Sequence, residues 1–221
     1  DFTVNEVVEP FTAQYLASFT AKPSPAPKVV GNSKKSKVLT GDEYEVFEIP
    51  KEYPSDGPRT IVTDPADTTF SPFGWHDTDG VAGAEFTITR GNNASAYSDR
   101  NDNDSPDPGS QPDAGPSLHF TGALVAYDEN MEPDTYIPAA VTNLFYWNNI
   151  IHDVMARHGF DEASGNFQAF NYSGMGSGND YVFAEAQDGA DNGNRNNANF
   201  GTPADGSNPR MQMYLWNSST P

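Results

Sequence analysis

The hydrophobic positions of this chain fall into short, separated runs, and one of them alone keeps a helical period over many turns. Between Pro138 and His158, Val141, Leu144, Phe145, Ile151, Val154 and Met155 recur at helical spacing, interrupted at Asn148. Pro138 stands where a helix start tolerates a missing N–H, and Gly159 follows the end, where positive φ is wanted. Arg157 and His158 complement the negative end of the helix dipole. The pattern predicts a helix over about Pro138–His158, roughly 30 Å long at ~1.5 Å per residue.

The other apolar runs are short and alternate with polar residues. They predict strands over Tyr44–Ile49, Arg59–Thr63, Ala84–Arg90, Asp180–Ala186 and Arg210–Trp216. Between them lie turns rich in Gly, Pro and Asp, including Tyr53–Pro58, Asp77–Gly80 and Gly174–Gly178. The last of these precedes a strand, whereas a phosphate loop joins a strand to a helix, so nucleotide binding is discarded. Before the final strand, the Asn-Asn-Ala-Asn-Phe run (Asn196–Phe200) leads into a turn at Thr202–Gly206. An extended segment of this kind offers backbone donors and acceptors to another extended chain. The simpler reading is a polar surface loop entering a core strand.

At the N-terminus, Val7, Val8, Phe11, Tyr15, Leu16 and Phe19 mark a short amphipathic segment broken at Pro10. Residues 22–37 then turn Pro-, Lys- and Ser-rich. Residues 1–37 therefore read as a linker or N-terminal extension, and 38–221 as the folded unit. With 19 Gly, 18 Pro and 36% hydrophobic residues in 221, long irregular connections are expected rather than a helical bundle.

The net charge of −19 argues against nucleic acid, whose phosphates would be repelled. Charge is also unevenly spread: all six lysines lie at or before Lys51 and all six arginines at or after Arg59. No apolar run approaches the ~18 residues that span a bilayer, so no membrane partner is expected. No charged-then-apolar leader opens the chain, so a secreted form would have shed its signal. The absence of cysteine removes disulfides and thiolate metal sites, and bound calcium is one alternative stabiliser.

Candidate chemistry is sparse. In the Asp-rich run Asp99–Asp113, Asp99, Asn101 and Asn103 have the alternate spacing that brings oxygens onto calcium, yet Asp104 and Ser110 occupy the positions where an EF-hand needs Gly and Glu. A solvated acidic loop is the simpler reading. His76 beside Trp75, and His152 with Asp153 on the helix, are metal or acid-base candidates that read more simply as hydrogen-bonded structural residues. Trp75 and Trp216 raise a carbohydrate-binding module as an outside alternative, but as aromatics they are expected in the core. Sequons stand at Asn93, Asn103, Asn171 and Asn217.

Several of these segments together carry a family resemblance. The succession NLFYWNNIIHDV, GFDEASGNFQ, GNDYV, AQDG, NNANF, TPADG and RMQMYLW, preceded by EYPSDGPRTIV, DPAD, SPFGWHDTDG and TRGNN, strongly resembles the fungalysin family of secreted zinc metallopeptidases. It covers about Tyr44 to Pro221. The resemblance implies an α+β fold, the mainly β N-terminal lobe of a thermolysin-like metallopeptidase with one long helix. It implies an extracellular enzyme with zinc as cofactor and protein or peptide as substrate. It also implies that Asn197 and Ala198 are substrate-binding residues beside an edge strand.

One departure is large. The family's His-Glu-x-x-His helix is absent, because none of His76, His119, His152 and His158 is followed by Glu. His152 and His158 are six apart, about 240° around a helix, and cannot share a face as a zinc pair does. The resemblance therefore places the zinc ligands, and the glutamate that activates a zinc-bound water, in a missing C-terminal half, and this chain alone is expected to be inactive. The alternative is a non-catalytic, calcium-stabilised peptide- or surface-binding module on the same fold.

Overall fold

The structure, a computed structural model, describes residues 40–51, 54–122, 124–128 and 130–217. The extension expected over 1–37, with its amphipathic segment, lies outside the described residues.

Strands β1 (Glu43–Val46), β2 (Thr60–Thr63), β3 (Ala94–Ser98), β4 (His119–Phe120), β5 (Val182–Ala186), β6 (Ala198–Gly201) and β7 (Arg210–Met213) form two sheets, and α1 (Ile137–Arg157) is the long helix. The smaller sheet has the order β2-β1-β4, with β1 antiparallel to β2 and parallel to β4. The larger has the order β3-β5-β7-β6, with β5 parallel to both neighbours and β6 antiparallel to β7. Helix α1 packs on β1, β3 and β5, so it fastens the two sheets together. The fold is α+β, and no helix among the described residues is long and apolar enough to cross a membrane.

The core lies where α1 meets the sheets, around Tyr44, Trp75, Phe120, Val141, Phe145 and Ala184. Tyr44 stacks on Phe120 at 5.3 Å and Trp75 meets Tyr146 edge-on at 5.8 Å, arrangements that aromatic quadrupoles favour. Strand β3, ASAYS, is buried at every position. Its alanines leave room for the helix to come close, and they carry no apolar alternation by which the strand would be predicted.

Three expectations need correction. Ala84–Arg90 is not a strand: it touches its neighbours through single bridges, Ile88 to Asp113 and Arg90 to Ser95. Arg90 instead lays its guanidinium over the Phe86 and Tyr181 rings, 4.1 and 5.1 Å from their centroids. The apolar stripe of α1 is buried only in its first half, since Ile151, Val154 and Met155 are nearly half exposed. In the second half the buried side chains, apart from Ala156, are polar. Asp153 accepts from the Asp67 N–H, the Ser71 hydroxyl and the Trp75 indole, and so pulls the segment before β3 onto the helix. Trp75 is fully buried as expected, but Trp216 is 62% exposed because it lies past the end of β7, where no element among the described residues covers it.

Candidate functional site

Strand β6 forms one edge of the larger sheet, and all four of its residues are exposed. The Tyr214 N–H donates to the Asn197 carbonyl at 3.3 Å, which makes these two a hydrogen-bonded pair of the antiparallel ladder. Such pairs alternate, so Asn199 and Gly201 also turn their backbone groups toward β7, opposite Gln212 and Arg210. The N–H and C=O of Ala198 and Phe200 therefore point away from the sheet. The Ala198 N–H is met only locally, by Oδ1 of Asn197 at 2.9 Å. Ahead of the strand, Asn196 adopts φ 59° and bends the chain into it, while its side chain accepts the Asn217 N–H.

Below this edge opens an apolar pocket of about 200 Å³, lined by Ile151, Met155, Phe160, Phe167, Phe200 and Met211. The Phe167 and Phe200 rings pack against each other in its wall, centroids 6.1 Å apart. The exposed apolar residues in the second half of α1 thus have a place: two of them form the pocket wall. An extended strand edge above an apolar pocket is an arrangement that takes a peptide, with main-chain hydrogen bonds along the edge and a side chain below it.

The edge is rigidly backed. Glu185 on β5, fully buried, accepts from the Tyr97 hydroxyl on β3 and from Arg210 on β7, so a single carboxylate ties three strands. Burial raises its proton affinity and Arg210 opposes that rise.

The histidines have structural partners. Both nitrogens of His76 are committed, Nε2 to the Tyr44 hydroxyl and Nδ1 to the Arg90 carbonyl, and burial lowers its pKa to about 4. Because the carbonyl can only accept, Nδ1 carries the proton. His152 sits between Asp153 at 2.9 Å and Gln168 at 3.1 Å. His119 is exposed on β4, with Glu43 3.8 Å away. Among the described residues, the groups of metal-ligating side chains that converge are made of carboxylates only, Asp77 with Asp79 and Glu85, and Asp99 with Asp104 and Glu185. The histidines present do not fit a catalytic zinc site.

The Asp-rich loop differs from the spacing argument. Asp99 accepts the N–H groups of Asn103 and Asp104, Asn101 donates to Asp107, and Oδ1 of Asn103 accepts the Ser105 N–H. The groups gathered around Asp99 are the carboxylates of Asp104 and Glu185, and Arg210 supplies their counter-charge. Glu185 comes from another strand, so no local spacing pointed to it.

The family model of fungalysin metallopeptidase (M36) matches residues 43–221. The chain belongs to the fungalysin family. Among its relatives are "Extracellular metalloproteinase 2" of Trichophyton rubrum, 42% identical over 181 residues, and "Extracellular metalloproteinase mep" of Aspergillus flavus, 42% identical over 188. "Extracellular metalloproteinase 2" of Arthroderma otae is 42% identical over 187 residues. In each comparison 81% of this chain is covered and 27% of the relative, so this fungalysin chain spans about a quarter of the length of the curated relatives it matches.

Proposed function

We propose that this chain is the N-terminal, substrate-holding lobe of a secreted zinc metalloendopeptidase. The observation that carries the reading is the open β6 edge, with the Ala198 and Phe200 backbone groups directed outward above an apolar pocket. A peptide laid antiparallel to β6 exchanges main-chain hydrogen bonds with Ala198, and a side chain enters the pocket beside the Phe167–Phe200 pair. Asn197 steers this exchange. Its Oδ1 holds the Ala198 N–H until a substrate carbonyl replaces it, and its amide is then free to donate to the peptide. Family membership and the extracellular metalloproteinases among the relatives support protein or peptide as substrate and secretion as the destination.

The zinc ligands and the activating glutamate belong, on this reading, to residues outside the chain, and the lobe contributes positioning rather than chemistry. The test uses the full-length protein that carries this sequence. Asn197→Ala and Ala198→Pro, the latter removing the outward N–H from an edge position where proline is tolerated, are expected to lower kcat/KM on a peptide at least about tenfold. Zinc content and melting temperature stay at the wild-type level. Unchanged turnover in both variants would sink the assignment.

A further inference from the structure

Asp77, Asp79 and Glu85 each bring one carboxylate oxygen within 4.8 Å of the other two. They belong to one compact loop, closed where the Glu85 N–H donates to the His76 carbonyl at 3.1 Å. Asp77 is fully buried. Its Oδ1 accepts the Gly80 N–H at 3.0 Å and the Tyr172 hydroxyl at 2.8 Å, whereas Oδ2, shielded from solvent, has no hydrogen-bond partner. A buried carboxylate oxygen left bare costs free energy unless a cation or a proton meets it.

No such cation comes from the protein. None of the ion pairs among the described residues involves Asp77, Asp79 or Glu85. The cluster at Asp99, Asp104 and Glu185 is different, because Arg210 lies within it. The neighbouring His76 offers no nitrogen to the loop, since both are bonded elsewhere. The donor set is therefore all oxygen and carries three formal negative charges without a countercharge, which is the chemistry of a hard divalent ion.

We propose that Asp77, Asp79 and Glu85 bind a calcium ion, with Oδ2 of Asp77 as the buried ligand and the two exposed carboxylates closing over the ion from the solvent side. The ion sits in a loop that a distant part of the chain already grips. Tyr172 holds Asp77 from the segment after α1, and the Phe170 ring packs so closely on Gly80 that a Cβ there would lie 2.4 Å from it. In a chain with no cysteine, the ion pins this loop internally, while Tyr172 and Phe170 hold it to the segment after α1.

Terbium tests this directly, because it replaces calcium and is excited through a nearby aromatic ring, here Tyr172. The full-length protein is titrated with terbium, then with calcium, and compared with the Asp79→Asn/Glu85→Gln double variant, whose changes lie on exposed side chains and leave the buried Asp77 in place. The wild type is expected to show calcium-displaceable terbium emission and a melting temperature several degrees higher in calcium than in chelator. The double variant is expected to bind at least about tenfold more weakly and to lose most of the calcium-dependent rise. Asp104→Asn, at the Arg210 cluster, is expected to leave both signals intact. Equal emission and an equal thermal shift in wild type and double variant would overturn the proposal, as would loss of both signals in Asp104→Asn alone.

Discussion

At one edge of the larger sheet, β3 is buried at every residue; at the other, β6 is exposed at every residue. The covered edge is closed by the segment just before it. Thr89 accepts the Ala96 N–H at 2.8 Å and returns its hydroxyl to the Ala96 carbonyl at 2.8 Å, and the Gly91 N–H donates to the Ala94 carbonyl. The open edge has no such cover among the described residues. An unpaired strand edge invites association with other chains, and the edge this fold leaves bare is the one proposed above to take substrate. The difference between the two edges thus lies in what happens to the outward backbone groups.

The largest effect that would break this contrast is at Gly91. A Cβ there would lie 2.0 Å from the Trp75 carbonyl oxygen, an approach that no side-chain motion relieves. Gly91→Ala is expected to cost about 4 kcal/mol or more, or to prevent folding, as read by urea denaturation.

Acid should loosen the same end next. His76 holds the covering segment through the Arg90 carbonyl, and burial lowers its pKa from 6.5 to about 4. The folded state thus resists protonation that the unfolded state accepts. The contribution is complete above about pH 6.5 and is lost as pH falls toward 4, the loss reaching about 3 kcal/mol. Buried Asp42 and Asp188, both held above the usual carboxylate range by desolvation, act in the opposite direction. His76→Phe isolates the imidazole: the difference in stability between wild type and variant should change across that window and stay flat above it. A constant difference from pH 4 to 7 would remove His76 from the account.

Thr89→Val is smaller. It deletes the hydroxyl donor to Ala96, but Gln111 still donates to that carbonyl at 3.1 Å, so about 1 kcal/mol is expected in thermal or urea unfolding.

At the open edge, Gly201 has nothing within 4 Å of where a Cβ would stand. Gly201→Ala is expected to change stability by no more than about 0.5 kcal/mol. Equal costs at Gly91 and Gly201 would mean that the two edges are not built differently.

Much of the fold was legible because the relevant signals are local. Helix α1 was delimited by its own period, by Pro138 and by Gly159, whose φ of 100° fits the role given to it. Strands β1, β2, β5 and β7 announced themselves by alternation. Strand β3 did not, since a strand buried on both faces with alanine and serine under a helix has nothing to alternate. The second half of α1 misled for a related reason. Period analysis assigns apolar residues to the core, whereas here Asn149 and Asp153 face inward with hydrogen bonds satisfied, and Ile151 and Met155 line the pocket.

By itself the sequence determined the family, the long helix and most of the strands, and it singled out Asn197 and Ala198 as candidates. These depend on residues adjacent in the chain or on motifs in fixed order. Tertiary structure alone decided that Ala198 and Phe200 turn their backbone groups outward, that Glu185 meets Asp99 and Arg210, and that Tyr172 reaches back to Asp77. Strand register and long-range packing set those meetings. The side-chain partners at Glu185 and Tyr172 stand 25 to 95 residues apart, a separation that no local spacing encodes.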